Sequence, residues 1–360
     1  MESRKIAVIC NYKLLPQRIG GMDYFFWEFN QKCNENGIGV DWFFPNYSNH
    51  GSYPELTIYS DESKSIENNF LHFVKNNNSD YTHVITHFVE LCTPFFAEVK
   101  KFSHAKMIAV DHNPRPLNGY SFKKKINKRL KGILFSKYID LFVGVSNYTI
   151  NAILKDFGTH LKSKTITIYN GVIIDAILVQ EKRNIAKPTF LVASHIRESK
   201  GIQDLIAAVN LLPSQIKSEI QIDIYGEGPY QRYLTEMIQR FQLESCFTFM
   251  GSSSELKSTY YKYDYLIHPS YEETFCYTVV EALAANIKVI TTYEGGNVLG
   301  IIEHLENGFL FEAKKINQLS DLIKQVWDAN LKIDKETRPF IENSFSLKKM
   351  VEKYLELVRE

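Results

Sequence analysis

The chain of 360 residues is 44% hydrophobic and 23% charged, the composition of soluble globular domains, with length for two cores at ~100–200 residues each. Its 42 Lys and Arg against 41 Asp and Glu give a formal charge of +1, which excludes a global attraction to nucleic acid or an anionic surface; such a partner needs a local patch. Cys10, Cys33, Cys92, Cys246 and Cys276 form no C-x-x-C pair and no Cys/His cluster in sequence, which argues against a disulfide framework or zinc site and for a reducing cytoplasm. No stretch approaches ~18 consecutive apolar residues, and the opening MESRKIAVICNY carries no export signal, so neither a membrane span nor secretion is expected.

In chain order, short apolar and β-branched runs predict strands at Ile6 to Cys10, Val40 to Phe44, His83 to Phe88, Met107 to Val110, Leu141 to Val145 and Thr165 to Tyr169. The less regular stretch from Val172 to Lys187, ending before Pro188, reads as a linker. Beyond it the strands resume at Thr189 to Ala193, Ile220 to Tyr225, Phe247 to Met250, Tyr265 to His268 and Lys288 to Thr292. Helical segments such as Ile202 to Leu212, Pro229 to Phe241 and Thr278 to Ala285 separate them. Strands alternating with helices predict α/β architecture with parallel sheets. A terminal helix follows Ser346, with Leu347, Met350, Val351, Tyr354, Leu355 and Val358 on one face.

Three loops in the second half carry candidate chemistry. Ser194-His195-Ile196-Arg197-Glu198-Ser199-Lys200-Gly201 joins a strand to a helix, so Arg197 and Lys200 stand beside helix-start amides, a diphosphate site or a solvated polar loop. Gly226-Glu227-Gly228-Pro229 is a tight turn that lacks full G-x-G-x-x-G spacing. In the third, a helix from Thr274 would separate Glu273 and Glu281 by ~12 Å along its axis. That exceeds the ~5–9.5 Å of hydrolytic carboxylate pairs, so the two suit opposite ends of one elongated ligand. Helix-start amides near Thr274, Phe275 and Cys276 would receive a phosphate. The plain alternative is a helix-start acid at Glu273 and a solvated Glu281.

These residues resemble the retaining glycosyltransferases of family 4. The Glu-x7-Glu spacing of Glu273 and Glu281 matches their signature, together with Pro269-Ser270, Phe275 and Glu281-Ala282-Leu283-Ala284. Lys200-Gly201, Gly226-Glu227-Gly228-Pro229, the strand from Phe247 to Gly251, Gly295-Gly296 and Asn307-Gly308 occur in the family's order. In the first half, Gly20-Gly21, Ser146 and Tyr169-Asn170-Gly171-Val172 match. The resemblance implies the GT-B fold, two Rossmann-like domains facing across a cleft, the first (1–175) binding acceptor and the second (176–345) the nucleotide sugar. A C-terminal helix (346–360) would cross back to the first domain. It implies transfer, with retention, of a hexose or N-acetylhexosamine from a nucleotide diphosphate sugar, UDP favoured over GDP, to a glycan or lipid-linked acceptor. By carry-over, Lys200 and Arg197 stabilise the departing diphosphate, Glu281 holds ribose hydroxyls, and Glu273 holds sugar hydroxyls. Gly21, His195, Gly226, Met250 and the segment Thr274, Phe275, Cys276 and Tyr277 complete the donor site. His112, which follows the strand Met107 to Val110, is a catalytic candidate for contact with acceptor or donor sugar, the alternatives being a structural histidine and, as a weaker competitor after a similar strand, His87. The chain departs from the pattern in having His195 where many relatives carry Arg, Thr274 and Cys276 in place of glycines, and Leu299 in place of an acid. An inactive binding subunit and a sugar-nucleotide epimerase of the same fold remain alternatives.

No Asp-x-Asp is present, so no metal clamp and no cofactor are expected. One patch breaks the neutral average. Lys123, Lys124, Lys125, Lys128, Arg129 and Lys131, with Lys137 beyond, interleave with Phe122, Ile126, Leu130, Ile133 and Leu134 and no acid. A basic amphipathic helix predicts peripheral attachment to an anionic membrane on the cytoplasmic face, the alternative being a solvated face over a core stripe. No recognition module accompanies it, so nucleic acid is not expected.

Overall fold

The structure, a computed structural model, describes residues 4–17, 19–77, 80–116, 118–180, 187–253, 255–293 and 300–359. The chain divides into two compact units, one running to Gly171 and taking in the residues from Leu347 onward, the other spanning Val172–Ser346.

The first unit holds a parallel sheet of β1 (Arg4–Cys10), β2 (Ile38–Phe44), β3 (Thr57–Ser60), β4 (His83–His87), β5 (Lys106–Asp111), β6 (Leu141–Gly144) and β7 (Thr165–Thr167). Its order is β3-β2-β1-β4-β5-β6-β7, so the direction of progression reverses between β1 and β4. Helices α1 (Gly21–Glu35), α2 (Ile66–Asn76), α3 (Pro94–Phe102), α4 (Phe122–Phe135) and α5 (Asn147–Phe157) form the crossovers. Ile6 to Cys10 are fully buried, as a central parallel strand covered on both faces requires.

The second unit orders its strands β10-β9-β8-β11-β12-β13, reversing between β8 (Phe190–Ala193) and β11 (Tyr265–His268). The others are β9 (Ile222–Tyr225), β10 (Phe247–Gly251), β12 (Lys288–Thr292) and β13 (Gly308–Phe311). Around them lie α6 (Ile202–Asn210), α7 (Ser214–Lys217), α8 (Gln231–Arg240), α9 (Tyr277–Ala284), α10 (Ile316–Trp327) and α11 (Arg338–Phe345). The sheet's core side is filled by Phe190, Val192, Ile222, Ile224, Ile267 and Phe309 against α6, α8 and α10.

The division falls after Gly171, four residues before the boundary at 175 read from the sequence. Val172 N–H donates to the Phe345 carbonyl at 2.9 Å, and Arg338 donates to the carbonyls of Ile177 and Ala284 at 2.9 and 3.1 Å. Val172 and its successors are therefore fastened into the second unit, and the expected linker is already part of it up to Gln180; 181–186 lie outside the described residues. The terminal helix α12 (Leu347–Arg359) belongs to the first unit, where Tyr354 packs with its ring 4.9 Å from Phe25 and 6.1 Å from Phe29 of α1.

Candidate functional site

In open parallel sheets ligands bind beyond the carboxyl ends of the strands where strand order reverses. In the second unit that point lies between β8 and β11, and the loops leaving these strands carry Lys200 and Glu273. Lys200 Nζ is in contact with Glu273 Oε1, both side chains being mostly buried. The same Oε1 lies 3.3 Å from His268 Nε2 and 3.4 Å from Ser270 Oγ. Burial alone would push the Glu273 carboxyl up, but the hydrogen bond from His268 and the neighbouring charges hold it below its usual range. Burial likewise opposes charge on His268, yet Cys276 and Glu273 outweigh it and raise the imidazole to about 9.

Glycines let the loops approach. A Cβ on Gly201, at φ +68°, would stand 2.0 Å from the Pro269 carbonyl oxygen. One on Gly226, at φ +122°, would stand 2.0 Å from that of Ser194. Hydrogen bonds from Tyr271 N–H to Ser199 O, from Gln203 Nε2 to Tyr271 Oη and from Tyr271 Oη to Asp204 stitch the Lys200 and Glu273 loops together. His195 and Arg197 are exposed, and Met250 at the end of β10 is half exposed.

Helix α9 begins at Tyr277, not near Thr274. Cys276 is its N-cap with extended φ/ψ of −99° and 100°, so the helix-start amides are those from Tyr277 onward, while Thr274 and Phe275 remain loop. Phe275 is buried, its ring 5.1 Å from that of Tyr277. Glu281 is buried rather than solvated; Tyr260 Oη donates to it at 3.2 Å, and Lys257 Nζ lies 3.8 Å away. Burial raises its pKa against the pull of Lys257 and Tyr260. Sequence reading did not single out Lys257, Tyr260 or His268. His268 closes a strand immediately before Pro269-Ser270, the position from which a side chain reaches this loop.

The sequence-based exclusion of a Cys/His cluster does not hold in three dimensions. Cys276 Sγ lies 3.2 Å from His268 Nε2, because the loop after β11 turns the start of α9 back over the strand end. Gly295-Gly296 and Leu299 lie outside the described residues.

In the first unit, Gly21 opens α1, and the buried Asp23 accepts from the Gly20 amide and Tyr12 Oη at 2.8 Å and from Tyr53 Oη at 2.6 Å, fixing that loop. His112 follows β5 and is buried, its Nε2 2.9 Å from His87 Nδ1 and its ring 4.2 Å from that of Phe88. Burial lowers both imidazoles, His112 to about 3 and His87 also under the influence of His112. The pair is neutral, one ring N–H donating to the other ring's lone pair. Ser146 caps α5 by accepting from Thr149 N–H.

Helix α4 forms as predicted, capped by Ser121, but its apolar face is not a core stripe. Phe122, Ile126, Leu130, Ile133 and Leu134 are 79%, 46%, 52%, 61% and 56% exposed. Two of the basic residues leave the surface patch: Lys128 pairs with Asp156 at 3.1 Å and Lys131 with Glu90 at 2.7 Å. Lys123, Lys124, Lys125 and Arg129 are exposed. Among the described residues no helix is long and apolar enough to cross a membrane.

Residues 174–345 match the family described as glycosyl transferases group 1. The matched segment falls within the second unit, Val172–Ser346. Over 96 residues the chain is 35% identical to a GDP-mannose-dependent alpha-mannosyltransferase of Corynebacterium glutamicum, covering 27% of this chain and 22% of that protein. Over 192 residues it is 27% identical to the GtfA subunit of a UDP-N-acetylglucosamine–peptide N-acetylglucosaminyltransferase of Limosilactobacillus reuteri, covering 51% of this chain and 37% of that protein. These matches span less than half of either relative. Among solved structures, HepE of Anabaena in complex with UDP superposes with a TM-score of 0.76 at 15% identity over 99% of both chains. That likeness shows the fold: two parallel sheets with flanking helices, the GT-B architecture. The matched segment contains Lys200, Glu273 and Glu281.

Proposed function

We propose that the chain is a retaining glycosyltransferase that moves a hexose or N-acetylhexosamine from a UDP-sugar to a glycan or lipid-linked acceptor. The observation that carries this reading is the Lys200–Glu273 pair at the strand-order reversal of the second unit. Lys200, with Arg197 near it in the loop, would stabilise the β-phosphate as the glycosidic bond breaks, the moment at which negative charge grows. Glu273, held ionised, would accept hydrogen bonds from donor-sugar hydroxyls, and Glu281 from the ribose. The charge on Lys200 and the amides opening α9 would do the work of a metal clamp. HepE structures holding UDP and UDP-glucose support a UDP-sugar, whereas the Corynebacterium relative is named for GDP-mannose, so both nucleotides belong in the test.

The purified chain is incubated with a panel of UDP- and GDP-sugars, and nucleotide diphosphate release and sugar products are followed. Release with at least one UDP-sugar is expected. Binding without turnover would instead favour an inactive subunit, an altered sugar nucleotide without acceptor an epimerase, and neither binding nor turnover would end the reading.

The acceptor side is proposed to work at a membrane. The five exposed apolar side chains of α4 beside Lys123, Lys124, Lys125 and Arg129 support insertion at an anionic surface, each basic residue contributing ~1 kcal/mol there.

A further inference from the structure

His268, Glu273 and Cys276 bring a nitrogen, an oxygen and a sulfur donor to within 4.8 Å of one another. Their orientation is set from behind. The Thr291 hydroxyl donates to the His268 carbonyl at 2.9 Å, so its oxygen accepts from Nδ1–H at 3.0 Å. Nδ1 therefore carries a proton, and Nε2 is the ring atom aimed at Cys276 Sγ, 3.2 Å away, and Glu273 Oε1, 3.3 Å away. Metal-ligating histidines are oriented in this way, by a hydrogen bond on the ring nitrogen that does not ligate. Thr278 Oγ1, 3.1 Å from Sγ, is placed to donate to a thiolate. A mixed N, S, O set suits a borderline-soft divalent ion such as Zn²⁺ and not Mg²⁺, which demands an octahedron of oxygens. Lys200 now occupies the carboxylate such an ion would use.

We infer that His268, Glu273 and Cys276 form a site for a thiophilic divalent cation of the Zn²⁺ class, and that its occupancy excludes the Lys200–Glu273 ion pair. As the bonds form, the Cys276 thiol and His268 Nε2–H each release a proton to solvent, which frees the sulfur and the Nε2 lone pair to ligate. Glu273 exchanges the ammonium for the metal, and Lys200 swings away. Glu273 must move by about 1 Å to bring its oxygen within Zn–O distance alongside the sulfur and nitrogen. If Lys200 and Glu273 serve the donor as proposed above, the cation blocks nucleotide-sugar binding; that consequence, and it alone, rests on the proposed function.

The test is titration of the full chain with Co²⁺, followed by the thiolate-to-cobalt charge-transfer band in the near ultraviolet. One equivalent is expected to develop the band, Zn²⁺ to displace it, and Mg²⁺ to leave it unchanged. Cys276→Ser should abolish the band, and His268→Gln should weaken binding by about tenfold or more. Lys200→Met, which removes the competing ammonium, should tighten binding by about tenfold. Circular dichroism of each variant establishes that it is folded. No band, a band that survives Cys276→Ser, or weaker binding in a folded Lys200→Met protein overturns the proposal. UDP-glucose added to the Co²⁺-loaded chain separates the two readings. Bleaching of the band supports mutual exclusion. A Cys276-dependent band that is tighter in Lys200→Met but indifferent to UDP-glucose upholds the cation site and counts against the donor role. UDP-glucose binding to a chain that develops no band overturns the cation site alone.

Discussion

Replacing Lys200 by Met tests whether its ammonium acts on charge that develops in the reaction or serves only to neutralise Glu273. The two side chains are 14% and 15% exposed, so the pair is largely desolvated. Breaking such a pair by removing one partner costs ~3–5 kcal/mol when nothing compensates, and the remaining His268 and Ser270 contacts reduce this to about 2 kcal/mol. Lys200→Met/Glu273→Gln removes both charges of the pair, with His268 able to give up its proton once Glu273 is gone, and is expected to recover at least half of that loss, since removing both partners is far milder than removing one. Activity should not follow stability. A lost transition-state donor lowers kcat by ~10²–10³, or ~2.7–4 kcal/mol, and both variants are expected to show that loss. Denaturant unfolding followed by circular dichroism gives the stabilities, and nucleotide diphosphate release gives the rates. Unchanged kcat in Lys200→Met, or additive stability losses in the double variant, would refute the reasoning.

Gly201→Ala places a Cβ 2.0 Å from the Pro269 carbonyl oxygen at a left-handed φ, so a loss of roughly 2–4 kcal/mol is expected, read as a lowered Tm and weaker UDP-glucose binding. The buried His112 is lowered to about 3 in the folded chain against ~6.5 unfolded, so the unfolded state binds more protons between these values. Its contribution is intact above pH ~6.5 and lost as pH falls toward 3, on the order of 1.4 kcal/mol per pH unit. His112→Phe should flatten that acid limb in pH-dependent denaturation, and an unaltered slope would assign the limb to other groups. Charge reversal at Lys123, Lys124 and Lys125 should abolish flotation with anionic liposomes, as should Phe122→Ser with Ile133→Ser; retention by both variants would remove α4 from membrane binding.

Central strands were legible in the sequence because β1 and β5 are buried on both faces and written as continuous apolar runs. The edge strands β3 and β13 were not. Thr57–Ser60 is four residues with no alternation, and Gly308–Phe311 opens on glycine, so neither stands out without its neighbour. Lys200 and Glu273 were named from their loops, but their contact depends on β8 and β11 being adjacent across the reversal, which spacing along the chain does not encode. The approach of His268 to Cys276 depends on the path of the loop after β11, which turns the start of α9 back over the strand end and is not encoded in residue spacing. In α4, periodicity identified an apolar face correctly yet could not say whether a core or solvent lies against it; exposure did, and ion pairs to Asp156 and Glu90 withdrew Lys128 and Lys131 from the patch.

The central claim is that the Lys200–Glu273 pair belongs to a nucleotide-sugar site at which glycosyl transfer occurs. The most direct measurement is nucleotide diphosphate release from a panel of UDP- and GDP-sugars, run in parallel on the native chain and on Glu273→Gln. Release from at least one UDP-sugar by the native chain, lost in a folded Glu273→Gln protein, is the predicted result. Neither binding nor release with any donor, or release unaffected by Glu273→Gln, would contradict it.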